Sequence, residues 1–284
     1  MAPAKQDNEA GQSVPSLQLA EATGKKFLSG LCVEDLKAAR ALDADVIQKT
    51  GGRMGMFWPV ADGDVLPGDQ YELFEAGKFN DTPILAGTNS DEGAMFVRPG
   101  ATPAAFEKRI RDGFGPNADA LLKAYPHATD AEAFQSTKDI FRESAFAWHT
   151  WAWANLQSRN GKNKAYVYYF DHHRPESSGA SHAAEIAYVF HNLDGRGGAP
   201  SAEDVALSDL ISSYWVNFAS TGDPNGTGLP AWPAFDEKNS SAFYFDQAQT
   251  SSARPLPNRE KLKAFDEYYA RRRAEAKAKS SASK

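Results

Sequence analysis

The chain of 284 residues predicts an α/β fold, rich in helix and poor in strands. Three observations predict it. Residues 83–88, PILAGT, form a short and nearly all-apolar run that ends in glycine and polar residues, as a strand buried on both faces of a parallel sheet does. Residues 165–170, AYVYYF, are β-branched and aromatic, the pattern a strand favours. Between and around these runs lie long segments with apolar residues at helical spacing, and such alternation argues α/β.

In chain order, residues 1–15 are polar and irregular. Residues 16–28 read as a helix, with Glu21 and Lys25 as an i,i+4 pair. A second helix is expected over 33–49, ended by Gly51 and Gly52. Residues 57–60, FWPV, followed by Asp62, Gly63 and Asp64, predict a short strand and turn. Residues 71–76 predict a short helix closed by Gly77. The strand over 83–88 follows, and its carboxyl end carries Asn89, Ser90, Asp91 and Glu92. Open α/β sheets gather ligand-facing residues at that end of their strands. Residues 103–113, 118–125 and 130–159 predict three helices, the last with Trp148, Trp151 and Trp153 and closed by Gly161. After the strand over 165–170, a polar loop over 172–181 leads to His182. A helix over 202–219 presents Val205, Leu207, Leu210, Ile211, Tyr214 and Phe218 on one face. Residues 221–230 are a loop of turn residues, 243–245 a last short strand, and 261–279 a charged helix. Residues 280–284 predict a frayed tail. No internal repeat is visible, and three or four strands are few for so many helices.

Hydrophobic residues make up 42% and charged residues 24%, which places the chain among globular proteins. The net charge of −6 argues against a nucleic-acid partner. No apolar run reaches the ~18 residues of a membrane span, and the first residues lack a signal core, so a soluble chain without a membrane partner is expected. The sequence leaves the compartment undetermined. The single cysteine, Cys32, forms no internal disulfide and, among Leu31, Val33 and Leu36, reads as a buried structural thiol.

The chemistry concentrates at two places. Glu92 lies in residues 87–93, GTNSDEG, and His182 in residues 179–186, GASHAAEI. An acid followed much later by a histidine is the tail of the chain order Ser, Asp/Glu, His used by α/β-hydrolases. In that chemistry a serine hydroxyl needs a base to take its proton. An imidazole suits the task because its ordinary pKa lies near working pH, and the acid orients it and stabilises the imidazolium. No G-x-S-x-G turn for a nucleophile and no His-Gly-Gly-Gly stretch for oxyanion amides occurs in the 284 residues. Asp91 is the nearest rival acid and reads as a cap or turn contact. Glu185 reads either as a group behind the histidine or as a solvent-facing residue. His172 and His173 read as surface loop, since neither cysteine nor regular carboxylate spacing supports a metal. His149 reads as packed, and the tryptophans as core ahead of an acyl pocket. Ser90 and Ser181 lie on no strand-to-helix elbow and so do not read as nucleophiles.

The chain resembles the carboxylesterase type-B family, which includes para-nitrobenzyl-type esterases and cholinesterases. The matching stretches are 59–64 (PVADGD), 79–93 (FNDTPILAGTNSDEG), 179–190 (GASHAAEIAYVF), 214–225 (YWVNFASTGDPN) and 229–236 (LPAWPAFD). The resemblance implies an incomplete α/β-hydrolase fold, the C-terminal portion of one such domain across residues 1–284, with Met1 shortly after the nucleophile turn. It implies a small-molecule carboxylic ester as substrate, Glu92 as triad acid, His182 as triad base, and no cofactor or metal. The family usually has Gly after the histidine and Pro before Tyr-Val-Phe, where this chain has Ala183 and Ala187. Three readings follow: a truncated or split esterase, inactive alone; one half of an enzyme whose separate front-half chain carries the nucleophile; or a non-catalytic interaction module on the same fold, as esterase-like adhesion proteins are.

Overall fold

The computed structural model describes residues 2–5, 13–54, 59–194, 199–238 and 240–282. The chain divides into two compact units, residues 1–73 and 74–284. In the first, strands β1 (Ala2–Lys5) and β2 (Ser13–Pro15) pair in parallel. Helix α1 (Leu17–Gly30) starts at Ser16, whose hydroxyl accepts the Leu19 N–H. The expected helix over 33–49 is two helices, α2 (Leu36–Arg40) and α3 (Ala44–Met54). Asp35 caps the first, and Asp43 accepts the Asp45 N–H where the second begins. Two such side-chain acceptors, eight positions apart, interrupt one helical pattern. Gly51 and Gly52 do not end α3, which runs through them to Met54. Phe57 and Trp58 lie outside the described residues, and Pro59 and Val60 form no strand. Cys32 is exposed, not buried as expected. It follows the end of α1 in a left-handed turn (φ 56°), and the burial goes to Leu31 instead.

Helix α4 (Gln70–Glu75) precedes Gly77, which turns the chain at φ 68°. The second unit is built on a sheet in the order β3 (Ile84–Asn89), β4 (Ala165–Phe170), β5 (Ser241–Phe245), β6 (Ser252–Pro255). The first two pairings are parallel and the last antiparallel. Strand β4 is buried on both faces. Tyr166 and Phe170 join one core with Tyr214, Trp232, Phe243 and Phe245. Ala165, Val167 and Tyr169 join another with Ile84, Ala154 and Phe235. Alternate residues thus serve opposite faces, which is why the strand reads as one apolar run. The sequence missed β6, whose Ser-Ala-Arg-Pro is polar; as an edge strand it tolerates proline.

Helices α5 (Pro103–Phe114) and α6 (Ala118–Ala124) lie where expected. The long helix over 130–159 is one helical run with an interruption. Helix α7 (Asp130–Arg142) opens with a capping box of Thr129 and Glu132, passes into a π-helical turn (Glu143–Ala147) and continues as α8 (Trp148–Asn160). Trp148 is fully buried against Tyr269, their ring centroids 4.0 Å apart. Short α9 (Ile186–Val189) follows His182, and α10 (Ala202–Thr221) packs Leu207, Ile211 and Tyr214 into the core. The last helix, α11 (Arg259–Ala282), continues through residues 280–282, and residues 283 and 284 lie outside the described residues. No helix among the described residues is long and apolar enough to cross a membrane.

Candidate active site

The site is built where the carboxyl end of β3 meets the loop that follows β4. The chain leaves β3 at Asn89 and turns through Ser90 and Asp91 into a short 3-10 helix, Glu92–Met95. The turn is sewn to the later loop by hydrogen bonds. Asp91 N donates to the Ala180 carbonyl at 2.8 Å, and Ala180 N donates to Ser90 Oγ at 2.8 Å. Asp91 and Ser181 form an isolated parallel bridge. Residues ninety positions apart are thereby held side by side.

That bridge sets the Glu92 and His182 side chains together. His182 Nδ1 lies 2.6 Å from Glu92 Oε2, and Glu92 Oε1 accepts the Asn89 N–H at 2.8 Å. Glu92 is buried, whereas 39% of the His182 side chain is exposed. Burial raises the Glu92 pKa above the ordinary carboxylate value; the Asn89 N–H and His182 oppose this only in part, and Glu185 adds to it. A carboxylate acceptor on Nδ1 fixes that nitrogen as the N–H, which leaves the lone pair on Nε2. The ring rests between Phe146 (4.8 Å between centroids, stacked) and Phe96 (5.5 Å, edge-on). Phe146 belongs to the π-helical turn, and such turns recur at functional sites because they re-aim side chains.

Several supporting residues were not singled out from sequence. Asn89 Nδ2 donates to the Ser181 carbonyl (2.8 Å) and to Glu185 Oε2 (2.6 Å), and the Tyr168 hydroxyl donates to Glu185 Oε1 at 3.3 Å. Glu185 therefore sits behind the pair in a polar network, not in open solvent. Asp91 does not cap the helix that follows it. Its carboxylate is buried in an ion pair with Lys138 Nζ at 2.7 Å and also accepts the Ser178 hydroxyl. Arg142 donates to the Ser90 carbonyl and pairs with the fully buried Glu143, which also accepts from Tyr125 (3.0 Å) and Asn258 (2.7 Å). Burial would lower the Arg142 pKa, but Glu143, Tyr169 and Asp139 outweigh it and hold the guanidinium charged. The signal for this cluster was available: Lys138 and Arg142 lie one helical turn apart, on a helix whose buried side includes Ala133 and Ile140. Gly93 permits the close approach, since a Cβ there would stand 2.4 Å from the Lys138 carbonyl oxygen.

The remaining candidates lie apart from the pair. His149 is packed beside Trp148 and Tyr269, and burial lowers its pKa to about 3. His172 is half-buried between the Asp246 carbonyl (2.7 Å) and Asp204 (3.1 Å), so it is less exposed than a surface-loop reading expects. Among the described residues no group of three or more His, Cys, Asp or Glu is placed to hold a metal ion. Trp148 and Trp151 are core residues, and Trp153 packs edge-on against Phe74.

Residues 18–265 match the model of the carboxylesterase family. The chain belongs to that family. It is 30% identical over 207 residues to the para-nitrobenzyl esterase of Bacillus subtilis, a match spanning 68% of this chain and 40% of that protein. It is 31% identical over 206 residues to human neuroligin-2, covering 60% of this chain and 24% of that one. Among solved structures, a PNB esterase superposes with a TM-score of 0.73 at 25% identity, covering 88% of this chain and 55% of the other. A carboxylesterase of Geobacillus stearothermophilus gives 0.71 at 27% identity, over 87% and 54%. These neighbours carry the α/β-hydrolase fold, and the sheet and helices described above are a portion of it. The chain spans about half the length of these solved relatives and less of the curated ones.

Proposed function

We propose that this chain supplies the acid and base of carboxylic ester hydrolysis, Glu92 and His182, within a single C-terminal portion of a carboxylesterase domain spanning residues 1–284. The observation that carries the reading is the 2.6 Å contact of His182 Nδ1 with a buried Glu92 carboxylate, on a side chain that is 39% exposed. The serine nucleophile and oxyanion donors come from a front-half segment bearing G-x-S-x-G. In the reaction, Nε2 takes the serine proton as the serine oxygen attacks the ester carbonyl. The imidazolium that forms is stabilised by Glu92 across Nδ1–H and then gives the proton to the departing alcohol. Water attacks the acyl-enzyme by the same exchange, releasing the acid and restoring the serine. Asn89 serves both partners: its N–H holds Glu92, and its amide holds the loop that carries His182.

Two further observations support a front-half partner. Among the described residues β3 pairs with β4 alone, so its other edge is open. Such an edge templates pairing with another strand. Met95 and Phe96, just after Glu92, and Ile186 and Phe190, just after His182, are large exposed apolar residues around the same site. On this reading the isolated chain self-associates and hydrolyses no short aryl ester. Robust turnover by the isolated chain, abolished by a serine-directed phosphonate, overturns the assignment of the nucleophile to another segment. The similarity to neuroligin-2 favours a second reading, a non-catalytic interaction module on the same fold. That reading gives the Glu92–His182 pair no task.

A further inference from the structure

Beside the Glu92–His182 pair, residues 96–101, α5 and α7 line a hollow of about 420 Å³. Its walls include Phe96, Phe106 and Phe141, with Arg98, Arg109 and Thr137 at its polar side. Phe96 is shared with the pair: one neighbour of its ring is His182, and another is Phe141 at 4.9 Å. The hollow therefore lies one aromatic ring away from the proposed base.

We propose that this hollow binds a carboxylate carried on an apolar body, and that it is the subsite that selects esters bearing such a carboxylate. The charges around it point that way. On α5 the neighbouring cations are all paired: Lys108 with Asp112, and Arg111 with Glu107 and Asp119. Arg109, between them, is not. Its guanidinium donates to Thr137 Oγ1 at 3.1 Å and lies 5.6 Å from the Phe106 ring centroid. Among the described residues neither Arg109 nor Arg98 has a carboxylate within ion-pair distance, and no acidic residue lines the hollow. Partial desolvation lowers the Arg109 pKa, with no opposing anion. Arginine offers a planar fork of donors that fits a carboxylate two-to-two. The Thr137 bond and the Phe106 contact hold the Arg109 fork in place, and the remaining N–H groups are free for a ligand. The three phenyl rings suit a hydrocarbon or aromatic body and disfavour a small hydrated anion. A substrate seated there would place its carboxylate on the arginines, its body over Phe96 and its ester toward His182 Nε2.

As an anion-binding hollow the site stands by itself; as a substrate subsite it rests on the ester-hydrolysis reading above. The two are separated by measuring binding first. The full chain is titrated with 3-phenylpropanoate and with the neutral 3-phenylpropan-1-ol, by calorimetry or ligand-observed NMR. The acid is expected to bind saturably and at least about tenfold more tightly than the alcohol, with the difference shrinking as salt is raised. The R98Q/R109Q variant is expected to lose about tenfold or more for the acid, and R109K, which keeps the charge, to lose less. An unchanged melting profile shows that the variants fold. Equal binding of acid and alcohol, unchanged binding in R98Q/R109Q, or no saturable binding overturns the proposal. In the second arm the chain is complemented with a front half bearing G-x-S-x-G, and an aryl hemiglutarate is compared with the aryl butyrate. The wild-type preference for the hemiester is expected to fall in R98Q/R109Q through KM. Arginine-dependent binding without any hydrolysis keeps the anion site and refutes the catalytic reading. Hydrolysis with no such preference refutes the subsite.

Discussion

Replacing Lys138 with methionine tests the packing that holds the site. The Lys138 ammonium and the Asp91 carboxylate are 2.7 Å apart, with side chains only 6% and 3% exposed. At an effective dielectric of about 20 the attraction at that distance is about 6 kcal/mol, most of which offsets the desolvation of both ions. Removing one partner leaves the other buried and uncompensated, which costs about 3–5 kcal/mol. Asp91 would keep the Ser178 hydroxyl on Oδ2, while Oδ1 has no hydrogen-bond partner among the described residues. Methionine preserves most of the lysine volume, so a cavity contributes little. K138M is therefore expected to destabilise the second unit by about 3–5 kcal/mol. The double variant D91N/K138M is expected to regain more than half of that, because the residual charge is gone. Urea unfolding followed by tryptophan fluorescence, at several protein concentrations to separate self-association, reads both numbers. A loss below about 1 kcal/mol for K138M would refute the buried-pair reasoning and place the lysine among surface-like ion pairs.

Ala183 adopts φ 64°, a left-handed conformation that costs an L-residue about 1–2 kcal/mol. A183G relieves that strain, and the extra entropy of glycine in the unfolded chain offsets about 0.5–1 kcal/mol of it. The urea midpoint is thus expected to rise by the equivalent of about 0.5–1 kcal/mol, and a fall would show that the methyl makes contacts outweighing the strain. Burial raises the Glu92 pKa, so the stability tied to this group is present at low pH and is lost as pH rises through its folded-state pKa. E92Q should consequently be more stable than wild type at neutral pH, with the advantage vanishing near and below about pH 4. Urea midpoints from pH 4 to 8 check this, and an advantage that grows toward acid would reverse the sign.

The sequence made the frame legible because strongly apolar segments leave few alternatives. The runs at 83–88 and 165–170 became adjacent parallel strands with residues 84–89 opposite 165–170. Strand β6 escaped because an edge strand needs no apolar face, and the division into α2 and α3 escaped because capping side chains overrode one continuous helical pattern. At the site, Glu92 and His182 were visible as motif residues, and their contact was not, since it depends on the backbone bridge from Asp91 to Ser181. The π-helical turn that brings Phe146 to His182 is invisible in the sequence because its residues also fit a regular helical pattern. Asp91 reads as a local cap from sequence because its partner, Lys138, lies 47 positions later. Cys32 is exposed despite its apolar neighbours because neighbours in sequence do not ensure burial beyond a helix end.

In the proposed function, Glu92 and His182 work as the acid and base of an ester hydrolase completed by another segment. Its most direct measurement is hydrolysis of a short-chain aryl ester by this chain co-expressed with a front-half fragment carrying G-x-S-x-G. Turnover is expected from the pair and from neither part alone, with an acyl-enzyme burst and a loss of turnover by a factor of about 10³ or more in His182→Ala. A soluble, stably associated pair that stays inactive, or one whose activity survives His182→Ala, would contradict it.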